Sequence, residues 1–428
     1  MFGSRAATLV LGLAIQSCLA WFLGPAGRGS YAVCLMYATM LSVACTFGID
    51  GATQYHVASK RVSLSEGVSV LLSLEFVGAA VGILLGLLVM RLPLAFFDKA
   101  SDSLFLLAVI TVPFQIWSMS LPLILAATRE FPFQATALAI QAVLRLSGIV
   151  LLVRVIPLGI GGAVAANLLS FALTACIMLV FLRRRHGLHW VRPSWNRIRR
   201  FLGYGGRYYF AAFSTLVNFQ IGTIMLAFFA SESEIGLFHA GATLIVYVVA
   251  ISDTVGGVLH PRIASDPSGR PELAAQASRV VGLVCGLITL GVLVFAEPIV
   301  SVFLSPKFLP AVGLIWILAP GIIVRAGTKI LVQYMNATDR PGVFSVSTAT
   351  SVLVNVTLLL ILLPRVGLPG AAWAMSVAYI CGGIVLVVSF RKFSGLSFSR
   401  SWLPRKTDLS FLVDVVRRVW RRTARVRE

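Results

Sequence analysis

Charge is what this sequence has least of. Only 12% of its 428 residues are Asp, Glu, Lys or Arg, where a soluble chain carries roughly a quarter because its surface must meet water. A soluble enzyme or soluble binding domain is therefore excluded. Acid is scarcer than base, with 16 Asp and Glu against 36 Lys and Arg. No G-x-x-x-x-G-K-[S/T] segment occurs, so ATP hydrolysis on this chain is not expected. The six cysteines (Cys18, Cys34, Cys45, Cys176, Cys285, Cys381) fall in apolar segments without a C-x-x-C pair. They read as small apolar fillers, not as redox or metal centres. His56, His239 and His260 are scattered without metal-ligand spacing. The opening MFGSRAATLVLGL is followed by no plausible cleavage site and reads as a first spanning helix, not a removable signal peptide.

Apolar residues dominate instead, at 58%, with a mean hydropathy of +0.91. A bilayer core needs about 20 mostly apolar residues per helix, and unpaired backbone groups cannot stay there, so only helices or closed barrels span it. Barrel strands would alternate apolar and polar residues; stretches such as 77–89 and 280–295 are apolar on every side. The expected fold class is an all-α polytopic membrane protein. Twelve apolar segments are predicted, at 5–23, 31–55, 67–90, 103–127, 134–153, 160–182, 205–229, 236–260, 278–297, 310–335, 342–363 and 370–390.

The basic excess follows the connections. Of the 36 Lys and Arg, 27 lie at the termini and in the even-numbered connections and six in the odd ones. Arg145, Arg325 and Lys329 lie inside spans. This bias puts both termini in the cytoplasm, which an even number of spans requires. It also assigns the +20 charge to membrane topology and anionic headgroups, not to nucleic acid.

The halves resemble each other at a separation of about 205 to 210 residues. Leu158-Gly159-Ile160-Gly161-Gly162-Ala163 returns as Val366-Gly367-Leu368-Pro369-Gly370-Ala371, Gly29-Ser30-Tyr31 as Gly236-Leu237-Phe238, and Pro93-Leu94 as Pro298-Ile299. Six spans per half predicts two lobes related by a pseudo-two-fold axis along the membrane normal. The expected boundaries are an N-terminal lobe at 1–182, a basic cytoplasmic linker at 183–204 and a C-terminal lobe at 205–392. A basic tail at 393–428 follows, with an amphipathic helix from Asp408 to Arg427.

The opening Trp21-Phe22-Leu23-Gly24-Pro25-Ala26-Gly27-Arg28-Gly29-Ser30-Tyr31-Ala32, followed by Phe47-Gly48-Ile49-Asp50-Gly51-Ala52, resembles the Wzx-like polysaccharide flippases. In that family an LGP-x-G-x-G-x-Y turn joins the first two helices. The resemblance covers essentially the whole chain. It implies a two-lobed transporter of the multidrug/oligosaccharidyl-lipid/polysaccharide exporter superfamily, its central cavity opening alternately to each side. The implied substrate is an undecaprenyl-pyrophosphate-linked oligosaccharide turned from the inner to the outer leaflet of a bacterial inner membrane. The partners implied are membrane lipid and a polysaccharide polymerase or co-polymerase.

Cations stranded in hydrocarbon are the first candidates for such a task, since each costs about 2.5–3.5 kcal/mol on insertion scales. Arg325 and Lys329 are four residues apart and share a helix face, suited to two phosphates, with Arg145 and Arg5 as further contacts. Pairing with an intramembrane acid such as Glu75, or snorkelling, is the structural alternative. Arg28 fits a carbonyl-binding role at a helix end as well as a substrate role. Asn218, Gln220 and Gln141 suit sugar hydroxyls or interhelical hydrogen bonds. Asp50, Asp253 and Glu75 suit Na⁺ or proton coupling, or helix capping and ion pairing; no other cofactor is expected. A drug or cation exporter of the same superfamily shares the plan but calls for a carboxylate-rich, aromatic cavity. A polymerase or glycosyltransferase would need a large external loop or paired carboxylates that this chain lacks.

Overall fold

The computed structural model describes residues 2–264, 271–338 and 340–402, with Arg405 and Asp408; some side chains within them, including those of Arg5 and Asn218, lie outside the described residues. So does the amphipathic tail beyond Asp408. The described chain is helical throughout. In order the helices are α1 (Phe2–Ala44), α2 (Ile49–Ala58), α3 (Leu64–Val89), α4 (Asp102–Ala127), α5 (Phe131–Ile149), α6 (Gly159–His186), α7 (Trp195–Phe229) and α8 (Glu232–Val246). There follow α9 (Ala250–Ala264), α10 (Pro271–Val294), α11 (Ala296–Phe303), α12 (Ala311–Ala337), α13 (Pro341–Val366), α14 (Leu368–Ser394) and α15 (Phe398–Ser401). Ten stretches among the described residues are long and apolar enough to cross a membrane. Side chains such as Phe76, Leu84 and Leu88 on α3 stay exposed, as lipid-facing positions must.

Three of the expected segments are built differently from a simple span. The stretch Ala7–Ala44 runs for 38 residues, about 57 Å at 1.5 Å per residue and nearly twice the hydrocarbon thickness. It is broken at Gly24, whose φ of 65° and ψ of −175° are open to glycine and which precedes Pro25. The segment expected at 31–55 is not continuous: helix ends at Ala44, Phe47 and Gly48 take left-handed angles, and α2 restarts at Ile49. The segment expected at 236–260 stays helical, tightening to a 3-10 stretch at Tyr247–Val249 between α8 and α9, and Glu232–Gly257 is one of the ten long apolar stretches. The break at 45–48 and the 3-10 stretch at 247–249 each fall a few residues before an aspartate, Asp50 and Asp253.

The repeat is visible in the backbone. Gly159 and Gly367, at matching places in the two halves, take φ of 57° and 67° at the turns that enter α6 and α14. Three residues on, a Cβ at Gly162 would lie 2.6 Å from the Leu152 carbonyl, and one at Gly370 2.6 Å from the Leu362 carbonyl. Glycine is what lets each hairpin close.

The described residues gather into two compact units, Met1–Ala240 with Val300–Ala311, and Gly241–Ile299 with Val312–Glu428. In the first, Ile49, Leu71, Leu121, Ile124, Met178, Leu182 and Phe201 form a fully buried core. A capping box starts α3: the Glu66 amide donates to the Ser63 hydroxyl, and the Ser63 amide donates to the Glu66 carboxylate. The connection from α6 to α7 is pinned along α3, where the Ser65 and Ser69 hydroxyls accept the amides of His189 and Val191. In the second unit the Pro320-Gly321 step of α12 is filled by α14. The Gly321 amide donates to the Ser376 hydroxyl at 3.1 Å.

Candidate functional site

Within the first unit, the polar side chains of α1, α5 and α8 collect beyond the Gly24 break. Arg28 is 1% exposed and reaches back across that break to Gln16, donating to its carbonyl at 3.1 Å and its side-chain oxygen at 2.8 Å. Its guanidinium also lies 5.7 Å from the Phe308 ring. The carbonyl-binding role is thus occupied. Arg145 on α5 donates to the Tyr31 hydroxyl at 2.8 Å, and His239 on α8 lies within electrostatic reach of both Arg28 and Arg145. Nothing in the sequence pattern marked His239, because its neighbours come from helices far removed along the chain.

A second polar group lies among α2, α3 and α4. Glu75 is fully buried and accepts a hydrogen bond from Ser120 through one carboxyl oxygen, while the other has no partner among the described residues. Asp50, in the first turn of α2, is its electrostatic neighbour. Gln141 donates to the Ser118 hydroxyl at 2.6 Å, an interhelical bond of the kind expected between α5 and α4. Gln220 is half-buried on α7.

In the second unit, Lys329 closes on Asp253 with its ammonium 2.6 Å from one carboxyl oxygen and 2.7 Å from the other. The sequence put these two residues in different roles, phosphate binding and ion coupling, and the fold joins them. The acid partner is Asp253 on α9 and not Glu75, which lies in the first unit. Arg325, one turn away, stacks 4.3 Å from the Tyr379 ring, a cation–π contact. Arg279, counted above among connection cations, sits instead inside α10 at 8% side-chain exposure, paired with the buried Asp408 at 2.7 Å and donating to the Arg400 carbonyl. Burial raises the Asp408 carboxyl, but the hydrogen bonds from Arg279 and the Arg405 amide outweigh it and hold it below the usual carboxylate range.

Arg145, Arg325 and Lys329 therefore lie on long apolar helices, their charges met by phenols, rings or a single carboxylate. Against this geometry, the sequence profile described as polysaccharide biosynthesis protein matches residues 18–313. The chain belongs to the polysaccharide biosynthesis protein family. The resemblance read from LGPAGRGSY is borne out at the level of family and fold. One curated relative of this family member is the probable low-salt glycan biosynthesis flippase Agl15 of Haloferax volcanii, 20% identical over 227 residues, which are 52% of this chain and 48% of the relative. The match thus spans about half the length of that relative. Among solved structures, the lipid II flippase MurJ in an inward closed conformation superposes with a TM-score of 0.72 at 16% identity, over 92% of this chain and 90% of the other. An inward-facing multidrug resistance MATE family transporter of the MOP superfamily gives 0.65 at 14% identity, over 91% and 94%. At those identities the likeness is one of fold. The family member is a multi-pass membrane protein with an all-helical, MurJ- and MATE-like transporter fold.

Proposed function

We propose that this chain is a flippase that turns an undecaprenyl-pyrophosphate-linked oligosaccharide from the inner to the outer leaflet during cell-surface polysaccharide synthesis. It does so by alternating access between two six-helix lobes, 1–182 and 205–392, with twelve spans, the basic linker 183–204 and both termini cytoplasmic. The bacterial inner membrane and a polymerase or co-polymerase partner belong to the same proposal. The observation that carries it is the retention of Arg145, Arg325 and Lys329 on apolar helices in a member of the polysaccharide biosynthesis family. Cations on membrane-spanning helices cost about 2.5–3.5 kcal/mol on insertion scales, and a diphosphate is the group on this substrate that would use them. The printed names of Agl15 and MurJ, both flippases, support the reading.

In this proposal Arg325, Lys329, Arg145 and Arg5 contact the diphosphate, and Asn218, Gln220 and Gln141 the sugars. Lys329 is already held by Asp253, so substrate phosphate would displace a carboxylate, and Asp253 works as the resting counter-ion of that lysine. Ion coupling by H⁺ or Na⁺ then falls to Asp50 and Glu75, for which no cation forms an ion pair among the described residues. The chain carries out transport, not bond chemistry.

A multidrug or cation antiporter is the second reading, favoured by the MATE transporter's TM-score of 0.65. The two are separated by glycan transport in cells. In a deletion strain, lipid-linked glycan should accumulate on the cytoplasmic side, and Arg325→Ala with Lys329→Ala should fail to relieve it. Normal export through that double variant removes the pair from the substrate site; dye efflux without any glycan defect in the deletion favours the antiporter.

A further inference from the structure

Residues 183–200 carry seven Arg and no Asp or Glu. Acids of neighbouring helices meet two of the seven: Glu130 lies 3.7 Å from Arg185, and Glu66 2.8 Å from Arg197. Arg183 and Arg192 are exposed and form no ion pair among the described residues. The stretch 187–194 runs outside any helix and is strapped along α3. The His189 and Val191 amides donate to the Ser65 and Ser69 hydroxyls at 3.4 and 3.0 Å. Two residues of extended chain advance about 6.6 Å and four residues of helix about 6 Å, so the two spacings match. Pro193 holds Arg192 extended as well. Residues two apart in extended chain share a face, so Arg192 lies on the side that Trp190 presents.

Trp190 presents that side to a groove of about 480 Å³, lined also by Leu72, Ser73 and Phe76 of α3, Trp117 of α4 and Leu179 of α6. The Ser73 hydroxyl already donates to the Ser69 carbonyl at 2.7 Å, which leaves a lining of alkyl and ring carbon. At about 1.5 Å per residue, Leu72 and Phe76 lie about 12 and 18 Å from the start of α3, Trp117 about 15 Å from the end of α4 and Leu179 about 10 Å from the end of α6. Spans alternate in direction, so those three ends share one side of the bilayer, the cytoplasmic side in the proposed topology. The groove therefore sits at the depth of one leaflet's acyl chains. Arg183, one turn beyond Leu179 on the same face of α6, and Arg192, two residues beyond Trp190, stand at its polar end.

We propose that this groove holds an anionic phospholipid of the inner leaflet, with one acyl chain against Phe76, Trp117 and Leu179 and the phosphate between Arg183 and Arg192. A basic end on an apolar groove complements a ligand that joins an anion to a hydrocarbon chain, and an indole at the boundary suits the interface. Long Arg stems let both charges reach the headgroup while their methylenes lie on apolar surface. Bound there, the lipid fastens the connection between α6 and α7 to α3. The site needs a bilayer and no particular cargo, so it stands or falls apart from the transport reading.

The test titrates the purified full chain in detergent with dioleoylphosphatidylglycerol and follows the thermal midpoint. Stabilisation should saturate. Arg183→Gln and Arg192→Gln should each weaken the apparent affinity about fivefold, the share of one basic side chain at an anionic surface. Dioleoylphosphatidylcholine should need about 25-fold more lipid, about fivefold for each arginine. Arg199→Gln removes the same charge from an exposed position that does not line the groove and should titrate like wild type. Ser73→Trp fills the groove and should abolish the saturable shift; if it gives no cooperative melt, Leu179→Trp decides in its place. Equal weakening by Arg199→Gln reduces the effect to diffuse basic charge and overturns the site. A wild-type titration in the groove-filling variant overturns it too, as does equal affinity for phosphatidylcholine. Undecaprenyl phosphate that displaces phosphatidylglycerol at lower concentration than phosphatidylglycerol itself overturns the choice of occupant.

Discussion

Gly29 and Gly236 offer the most quantitative test of the repeat. They hold equivalent places in the two halves and pack on each other's helices reciprocally. A Cβ at Gly29 would sit 1.8 Å from the Glu232 carbonyl oxygen and 3.0 Å from the Gly236 amide nitrogen. One at Gly236 would sit 1.9 Å from the Pro25 carbonyl oxygen and 3.0 Å from the Gly29 amide nitrogen. Pro25 and Glu232 are offset by the same interval as the two glycines, so the contact maps onto itself as a two-fold axis demands. Real Cβ atoms stay beyond about 3 Å of such neighbours, so alanine at either position forces α1 and α8 apart by about 1.2 Å, an overpacking cost of about 1–3 kcal/mol. Gly29→Ala should therefore lower the thermal midpoint by about 2–4 °C per kcal/mol for a unit of this size, and Gly236→Ala should match it. The double variant should cost little more than either single one, because the helices part only once. The separation should also speed labelling of Ser30→Cys by a membrane-impermeant maleimide, since Ser30 is only 7% exposed. Midpoints and labelling rates at wild-type values in both single variants, or fully additive losses in the double, would refute the reasoning.

Three further expectations concern charge. Removing one partner of the buried Arg279–Asp408 pair, by Asp408→Asn or Arg279→Ala, should cost about 3 kcal/mol. Because the folded Asp408 carboxyl is held low, that stabilisation is present above about pH 4 and is lost as pH falls through the folded value. The midpoint gap between wild type and Asp408→Asn should close on acidification, and a gap that persists undiminished in strong acid contradicts the assignment. Glu75→Gln keeps shape and the Ser120 contact, so the protein should fold with a midpoint close to wild type while transport loses its dependence on the driving ion gradient; a variant with unchanged gradient dependence rules Glu75 out as a coupling group. The Lys329–Asp253 pair is half open to solvent, at 29% and 51% side-chain exposure, so a double-mutant cycle in unfolding should give a coupling of about 1 kcal/mol or less.

How much of this was legible beforehand depends on the range of the interaction. The Gly24-Pro25 break in α1 was readable because glycine and proline act on their own φ and ψ. The matched turns at Gly159 and Gly367 were readable because the repeat copies local punctuation. The break at residues 45–48 carries a local mark, Gly48 with its left-handed φ, that the high hydropathy of segment 31–55 hid, and the tightened turn at 247–249 carries none, since Tyr247, Val248 and Val249 are apolar. Arg145, Arg325 and Lys329 stood out as cations in oil, but which group meets each of them was invisible.

Hydropathy, a property of each segment alone, by itself determined that the chain is a helical membrane protein, and residue order at the punctuation points disclosed its duplication. Only the tertiary structure decided that Lys329 rests on Asp253, that Arg279 is buried against Asp408, and that Arg145 bonds the Tyr31 hydroxyl. Those pairings follow from which helix faces meet between segments distant in the chain, and a one-dimensional pattern holds no record of which faces meet.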